Sequence, residues 1–192
     1  MNLIKKILFT LVFSYLSADC PFCNEELLNR QKFYEDDLVI ALYTHEPVLP
    51  SHFLIIPKRH VERLDNLSDA EMIQIFHTIK QVNQAAQKVF GTSAYLIHQK
   101  NGHEAGQTVP HVHFHLISKQ PGDSSEFKFA TNLIVNRIRG PISQEKMQPI
   151  ITSMHAAMNE VVVNKADSLH ECVDDCGADK GHPPFLEVLC ES

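Results

Sequence analysis

Histidines fall at 111, 113 and 115 in the stretch "AGQTVPHVHFHLISK", Ala105 to Lys119, with one apolar residue between each pair. In an extended strand alternate side chains share a face, so the three imidazoles point one way while Val112, Phe114 and Leu116 point into a core. Side chains two apart on a strand lie roughly 6.5 Å apart, and the outer pair about 13 Å apart. One straight strand therefore cannot give three ligands to one ion, and at least one of these histidines needs a separate task. Directly before them, Gly102, Gly106, Gln107 and Thr108 make a loop in which small residues let backbone N–H groups converge, with an amide and a hydroxyl added. Such a loop is a cradle for phosphate oxygens. A neutral imidazole beside it is a nucleophile toward phosphorus at pH 7, because its attacking nitrogen carries no proton once the N–H of the other nitrogen is held. The plainer alternative is three satisfied polar residues on a solvated strand face.

A second group of chemically able residues is "CPFC", Cys20 to Cys23, in a chain whose five cysteines are an odd number. Taken alone, the C-x-x-C spacing suits half a zinc site, a disulfide or a redox pair.

The elements that must hold these residues alternate between strand and helix. "LVIALYT" (Leu38 to Thr44) and "HFLIIP" (His52 to Pro57) are apolar, partly β-branched runs joined by a turn with Pro47 and Pro50, which suits adjacent antiparallel strands. Ser68 and Glu71 form a capping box, after which Ile75, Ile79, Val82, Ala86 and Val89 make one helical stripe that stops before Gly91. "SAYLIHQ" (Ser93 to Gln99), the polar loop "KNGHEAGQT" and "VPHVHFHLIS" form a hairpin. After the polar loop "KQPGDSSEF", a helix is expected within Ile142 to Val163, with Pro149 tolerable only near its first turn.

At 192 residues the chain suits one domain with extensions. Its 44% hydrophobic and 21% charged residues are those of a globular protein, and a net charge of -6 gives no reason to expect bulk nucleic-acid binding. Residues 165–192 carry seven acids against two lysines and hold much of that charge, so this tail is expected to be poorly ordered. Its His170, Cys172, Cys176 and His182 form at most a weak metal or disulfide cluster, and Cys190 has no assigned role. At the other end, Lys5 and Lys6 precede the apolar run Ile7 to Leu16 and the small residues Ser17 and Ala18. This is the layout of a signal peptide over residues 1–18, and the run is too short to span a bilayer. A periplasmic or secreted protein is expected if the signal is real, and a cytoplasmic one otherwise. No membrane span is expected after signal removal.

The stretch "NGHEAGQTVPHVHFHLIS" resembles the histidine triad (HIT) signature, in which His-φ-His-φ-His-φ-φ follows a Gly-Gln-Ser/Thr phosphate loop. The resemblance extends over roughly Cys20 to Ser118, through "CPFC", "PSHFLIIPKRH", the capped helix and the signature, and the domain is placed at 19–164. It implies an α+β, HIT-like fold: an antiparallel sheet of about five strands, one long helix and a C-terminal helix. It further implies a nucleotide hydrolase or nucleotidyl transferase. His113 would attack the α-phosphorus of a nucleoside phosphoramidate or dinucleoside polyphosphate to give a nucleotidyl-histidine that water resolves. His115 and His52 would complete the catalytic cluster. Asn101, Gly106, Gln107 and Thr108 would hold phosphate and nucleotide, the amide that relatives often carry at the head of the loop aligning with Lys100.

In the C-x-x-C branch of the family the same resemblance assigns one structural zinc ion per chain to Cys20, Cys23, His60 and His111, with no organic cofactor. A homodimer and a nucleotide substrate, expected to be a purine nucleotide, follow from it too. Three positions depart from the pattern. Thr44 stands where many relatives place an acid on the ribose, with Glu46 or Asp36 as substitutes, and Ser118-Lys119 replaces the common Pro-Arg. "HFHLIS" is similar to the aprataxin branch, which removes adenylate from nucleic-acid ends, but the tail lacks that branch's zinc finger. The alternatives are thus an aprataxin-like activity or a nucleotide-binding HIT protein without turnover.

Overall fold

The computed structural model describes residues 20–123 and 126–175. The apolar run at 7–16, Cys176, His182 and Cys190 lie outside the described residues.

Five strands form one antiparallel sheet in the order β1-β2-β3-β5-β4, where β1 is Lys32–Glu35, β2 Val39–Tyr43, β3 His52–Pro57, β4 Tyr95–Gln99 and β5 Phe114–Ser118. Helices α1 (Glu25–Gln31), α2 (Asp69–Phe90), α3 (Glu126–Arg139) and α4 (Gln144–Asp175) complete the fold. The expected α+β, HIT-like architecture is the one observed.

Alternation along the strands gives the sheet two different faces. On one, Phe33, Val39, Ala41, Tyr43, Phe53, Ile55, Phe114 and Leu116 meet α2 and α4 in the main core. Ile75, Ile79, Val82, Ala85 and Ala86 supply the buried face of α2, and Met147, Ile151, Met154 and Met158 that of α4. Each fully buried Ile, Leu or Met side chain contributes about 1.5–3 kcal/mol, so this layer holds the sheet rigid. On the other face a smaller cluster of Ile40, Leu42, Leu54 and Ile56 packs under Phe22 and Leu28, and the histidines share this face. His52 precedes Leu54 and Ile56 on β3 at the strand's two-residue period.

The capped helix is as expected. Ser68 Oγ accepts from Glu71 N while the Glu71 carboxylate accepts from Ser68 N, and Gly91 ends the helix at φ +69°. The long C-terminal helix starts at Gln144, carries Pro149 in its second turn and continues beyond Val163 to Asp175. His170 and Cys172 therefore fall on a helical segment. The hairpin pairs Tyr95 with Ser118 through to Gln99 with Phe114, but β5 is shorter than the expected strand. His111 and His113 lie on its extended approach. Pro110 has no N–H to give, and Val112 N donates to Val61 O at 2.6 Å instead of to a strand partner, so the chain joins the ladder only at Phe114.

Candidate functional site

Of the three strand histidines, His111 and His113 are buried and His115 is partly buried. His52, His111 and His113 are 4%, 0% and 6% exposed, which removes the reading of a solvated strand face. Buried imidazoles must be hydrogen-bonded, and their partners fix which nitrogen carries each proton. His113 Nδ1 lies 2.6 Å from the carbonyl oxygen of His111, which only accepts, so the proton is on Nδ1 and the Nε2 lone pair is free. His52 Nδ1 accepts from Val48 N at 3.2 Å, which places the His52 proton on Nε2. That N–H donates to His115 Nδ1 at 2.8 Å and leaves the N–H of His115 on Nε2. The β3–β5 register sets this contact by placing Leu54 opposite His115, with His52 two residues away on the same face.

Burial, helped by the neighbouring imidazoles, pushes His52 down to about 3 and His115 down to about 2. Burial also lowers His113, against the pull of the His111 carbonyl, with a smaller contribution from the Lys100 ammonium. All three are neutral at pH 7, and His113 stands in the nucleophilic form with its proton locked on the far nitrogen.

Around the loop, Gly106 adopts φ +79°, a left-handed conformation that glycine takes without strain. Gln107 closes this loop from within: its Oε1 accepts from Gly102 N, and its Nε2 donates to Glu62 O and Val109 O. Asn101 is likewise engaged, its Oδ1 accepting from Leu64 N and its amide group exchanging hydrogen bonds with Gln99. Thr108 is exposed and lines the same cleft as His113.

That cleft has a volume of about 570 Å³ and one apolar wall made by Phe22, Leu28, Leu42 and Leu54. Thr44, His45 and Glu46 form part of its rim, and the Phe22 ring lies 5.4 Å from that of His113. Of the two suggested acids, Glu46 reaches the cleft. Asp36 is occupied elsewhere, accepting from Leu38 N, Val39 N and Gln74 Nε2.

Cys20, Cys23, His60 and His111 converge as the sequence expectation had them, with all four candidate ligand atoms within 4.8 Å of one another. Cys20 Sγ and His111 Nδ1 are 3.5 Å apart, and Cys23 Sγ and His60 Nδ1 are 3.3 Å apart. Both cysteines are free thiols, so the disulfide reading of "CPFC" does not apply. His111 Nε2–H donates to Pro57 O at 2.9 Å, which turns the Nδ1 lone pair toward the two sulfurs. Burial, with the second thiol beside it, pushes the Cys20 thiol up to about 11, and a bound cation reverses that balance by holding the thiolate. The group is a possible metal site.

One site residue escaped the reading of the sequence. His98, opposite His115 in the β4–β5 register, stacks on its ring at a centroid separation of 4.2 Å and 13° between planes. Lys100, aligned from the sequence with the loop-head amide of the family, is the first residue beyond the same strand, beside the loop. The hairpin register, countable from Gln99 and Phe114, was the signal that would have found His98.

The HIT domain family model matches residues 26–122, half of the chain. The bis(5'-nucleosyl)-tetraphosphatase [asymmetrical] of Schizosaccharomyces pombe is 44% identical over 96 residues, covering 50% of this chain and 53% of that protein. The chain thus spans about half the length of this relative. The bis(5'-adenosyl)-triphosphatase of Dictyostelium discoideum is 33% identical over 120 residues, covering 60% of this chain and 77% of that protein. Among solved structures, a Zn-bound histidine triad family protein from Mycobacterium smegmatis superposes with a TM-score of 0.60 at 22% identity, covering 77% of this chain and 99% of that one, a likeness of fold. The matched family model, together with the sheet, the hairpin and the three histidines it carries, makes this chain a member of the HIT domain family.

Proposed function

We propose that the protein is a nucleotide hydrolase that cleaves at the α-phosphorus of a dinucleoside polyphosphate through a nucleotidyl-histidine on His113. The observation that carries the reading is the His113 tautomer: Nδ1–H is held by the His111 carbonyl, so Nε2 needs no general base before it attacks. The apolar wall of Phe22, Leu28, Leu42 and Leu54 suits a purine ring, and Thr44 and Glu46 at the rim suit the ribose hydroxyls. Thr108 and the backbone N–H groups of the Gly106 turn supply donors where charge develops on the phosphate oxygens. The hydrolase names of the S. pombe and D. discoideum relatives support this class of substrate.

In the same reading, Cys20, Cys23, His60 and His111 hold one structural zinc ion. Tetrahedral zinc with two sulfur and two nitrogen ligands places neighbouring ligand atoms roughly 3.3–3.8 Å apart, and the three recorded sulfur–nitrogen separations of 3.5, 3.3 and 3.8 Å fit. Four protein ligands leave no open position, so the ion braces the approach to His113. A second copy of the chain pairs along the open β4 edge, where Tyr95 and the α2 residues Ile73 and Phe76 are exposed apolar groups. A mass of twice the chain by light scattering checks this.

The test of the activity is His113→Ala. Wild-type protein incubated with diadenosine tetraphosphate releases a mononucleotide and, quenched early, carries a nucleotidyl adduct on His113 by mass spectrometry, and the variant shows neither. Turnover by the variant at the wild-type rate refutes the assignment.

A further inference from the structure

The loop beside His113 offers the Thr108 hydroxyl as a side-chain donor, but its amide side chains are largely turned to other partners. Gln107 and Asn101, the two amides in the loop, are committed to Gly102, Glu62, Val109, Leu64 and Gln99. Gln107 has both amide hydrogens engaged and cannot turn to a ligand without dismantling the loop, and Asn101 is held by Leu64 N and Gln99, with one of its two amide hydrogens given to Gln99 Oε1. Lys100 is different. It is the first residue beyond β4, and its chain folds over Gly106, so that a Cβ built there would meet Lys100 Nζ at 3.4 Å. Among the described residues the ammonium takes part in no recorded ion pair, whereas Lys32, Lys58, Arg59, Arg63 and Lys88 each have a carboxylate partner. Glu104, the acid within the loop, has its Oε2 near Gly102 instead. The positive charge of Lys100 reaches His98, His113 and His115, which places it within the field of the attacking imidazole.

From this arrangement we infer that Lys100 is the cation that contacts the phosphates of the leaving group, making a polyphosphate chain the preferred leaving group over an amine. The inference rests on the hydrolase reading above and deepens it to a substrate class. A leaving group that carries two or three further phosphates brings negative charge to the exposed side of Gly106, where a flexible ammonium with three donors meets it. The departing amine of a phosphoramidate brings none. Attack by His113 Nε2 forms the N–P bond and breaks the bond to the bridging oxygen, so the electron pair departs with the polyphosphate. Lys100 stabilises that charge and neither gains nor loses a proton.

The experiment compares the full-length wild type, Lys100→Gln and Lys100→Arg on two substrates with the same adenylyl group, diadenosine tetraphosphate and adenosine 5'-phosphoramidate. Folding of each variant is first checked by its thermal transition. The expected result is that Lys100→Gln lowers the ratio of kcat/KM for the tetraphosphate to that for the phosphoramidate by about 10- to 100-fold, the worth of a charge-assisted hydrogen bond. Lys100→Arg, which keeps the charge, holds the ratio within about tenfold of wild type. A ratio unchanged in Lys100→Gln, whether both substrates slow equally or neither does, overturns the inference. A second readout does not need turnover: the Kd of a methylene-bridged tetraphosphate analogue should rise by about tenfold or more relative to that of AMP in Lys100→Gln. Equal changes for the two ligands also overturn it. If wild-type protein cleaves neither substrate, the hydrolase reading fails, and the binding comparison alone decides the role of Lys100.

Discussion

Replacing Glu71 by Gln tests whether the segment that presents His60 is held by one buried carboxylate. Glu71 is 4% exposed and accepts from Arg59 Nε at 2.9 Å, Arg59 Nη2 at 2.7 Å, Ser68 N at 2.8 Å and Ser68 Oγ at 2.9 Å. The Arg59 guanidinium, helped by the Ser68 donors and opposed by burial, draws its carboxyl from the usual 4.5 down to about 2. At about 1.4 kcal/mol per tenfold, that lowering sets a ceiling of about 3 kcal/mol on the ionised carboxylate. The Arg59 side chain is 56% exposed, so water screens much of the pairing, and about 2 kcal/mol is the expected loss in Glu71→Gln at pH 7. For a chain of this size that lowers Tm by about 4–8 °C. Because the folded-state value is depressed, the contribution is present in full above the unfolded value near 4.5 and disappears as pH falls toward 2. Wild type and variant should therefore differ at pH 7 and converge near pH 2–3, read by urea unfolding at each pH. Arg59 adjoins His60, so the variant should also release bound metal to a chelator faster than wild type. A gap below about 0.5 kcal/mol at pH 7, or one that stays constant down to pH 2, refutes the reasoning.

Three further outcomes are expected. His52→Leu leaves the Val48 N–H and His115 Nδ1 without partners, lowering stability by about 2–4 kcal/mol and reducing kcat more than it changes KM as His115 loses its fixed tautomer; an unaltered kcat measured on folded variant contradicts the relay. Protein purified without chelator should contain one zinc ion per chain by elemental analysis, and Cys23→Ser should lose it with a fall in Tm; metal-free wild type counts against the four-ligand site. Gly106→Ala puts a Cβ on a residue at φ +79° beside Lys100 and should cost about 1 kcal/mol of stability, with tetraphosphate turnover reduced; unfolding free energies equal to wild type show that the loop does not require glycine.

Much of the site could be read along the chain because it lies where local pattern and fold agree. The period-2 histidines, the capping box at Ser68 and Glu71, and the four residues Cys20, Cys23, His60 and His111 are local or motif-level signals, and the structure brings each group together. What stayed hidden depends on pairing partners far apart in sequence. Strand β1 has four residues with Phe33 alone buried and a register irregularity between Lys32 and Tyr34, so no alternation announces it. Helix α1 has no buried residue, and its Glu25–Gln31 composition is that of any polar connection. Helix α3 occupies a stretch whose start reads as polar loop. Gln107 stands in the linear motif as a phosphate-loop residue, and its three contacts across the loop become visible only in the folded chain. His98 has no meaning until β4 lies beside β5.

The ring of His111 is fastened at one nitrogen to a peptide carbonyl and faces the thiol pair with the other, while its own carbonyl selects the proton position on His113 two residues later. Sulfur atoms 91 residues earlier in the chain are thereby linked through one ring to the orientation of the His113 imidazole. An oxidant or a metal-stripping agent that disturbs the Cys20–Cys23 pair should loosen the hold on the His113 ring from a distance, without entering the cleft that His113 lines.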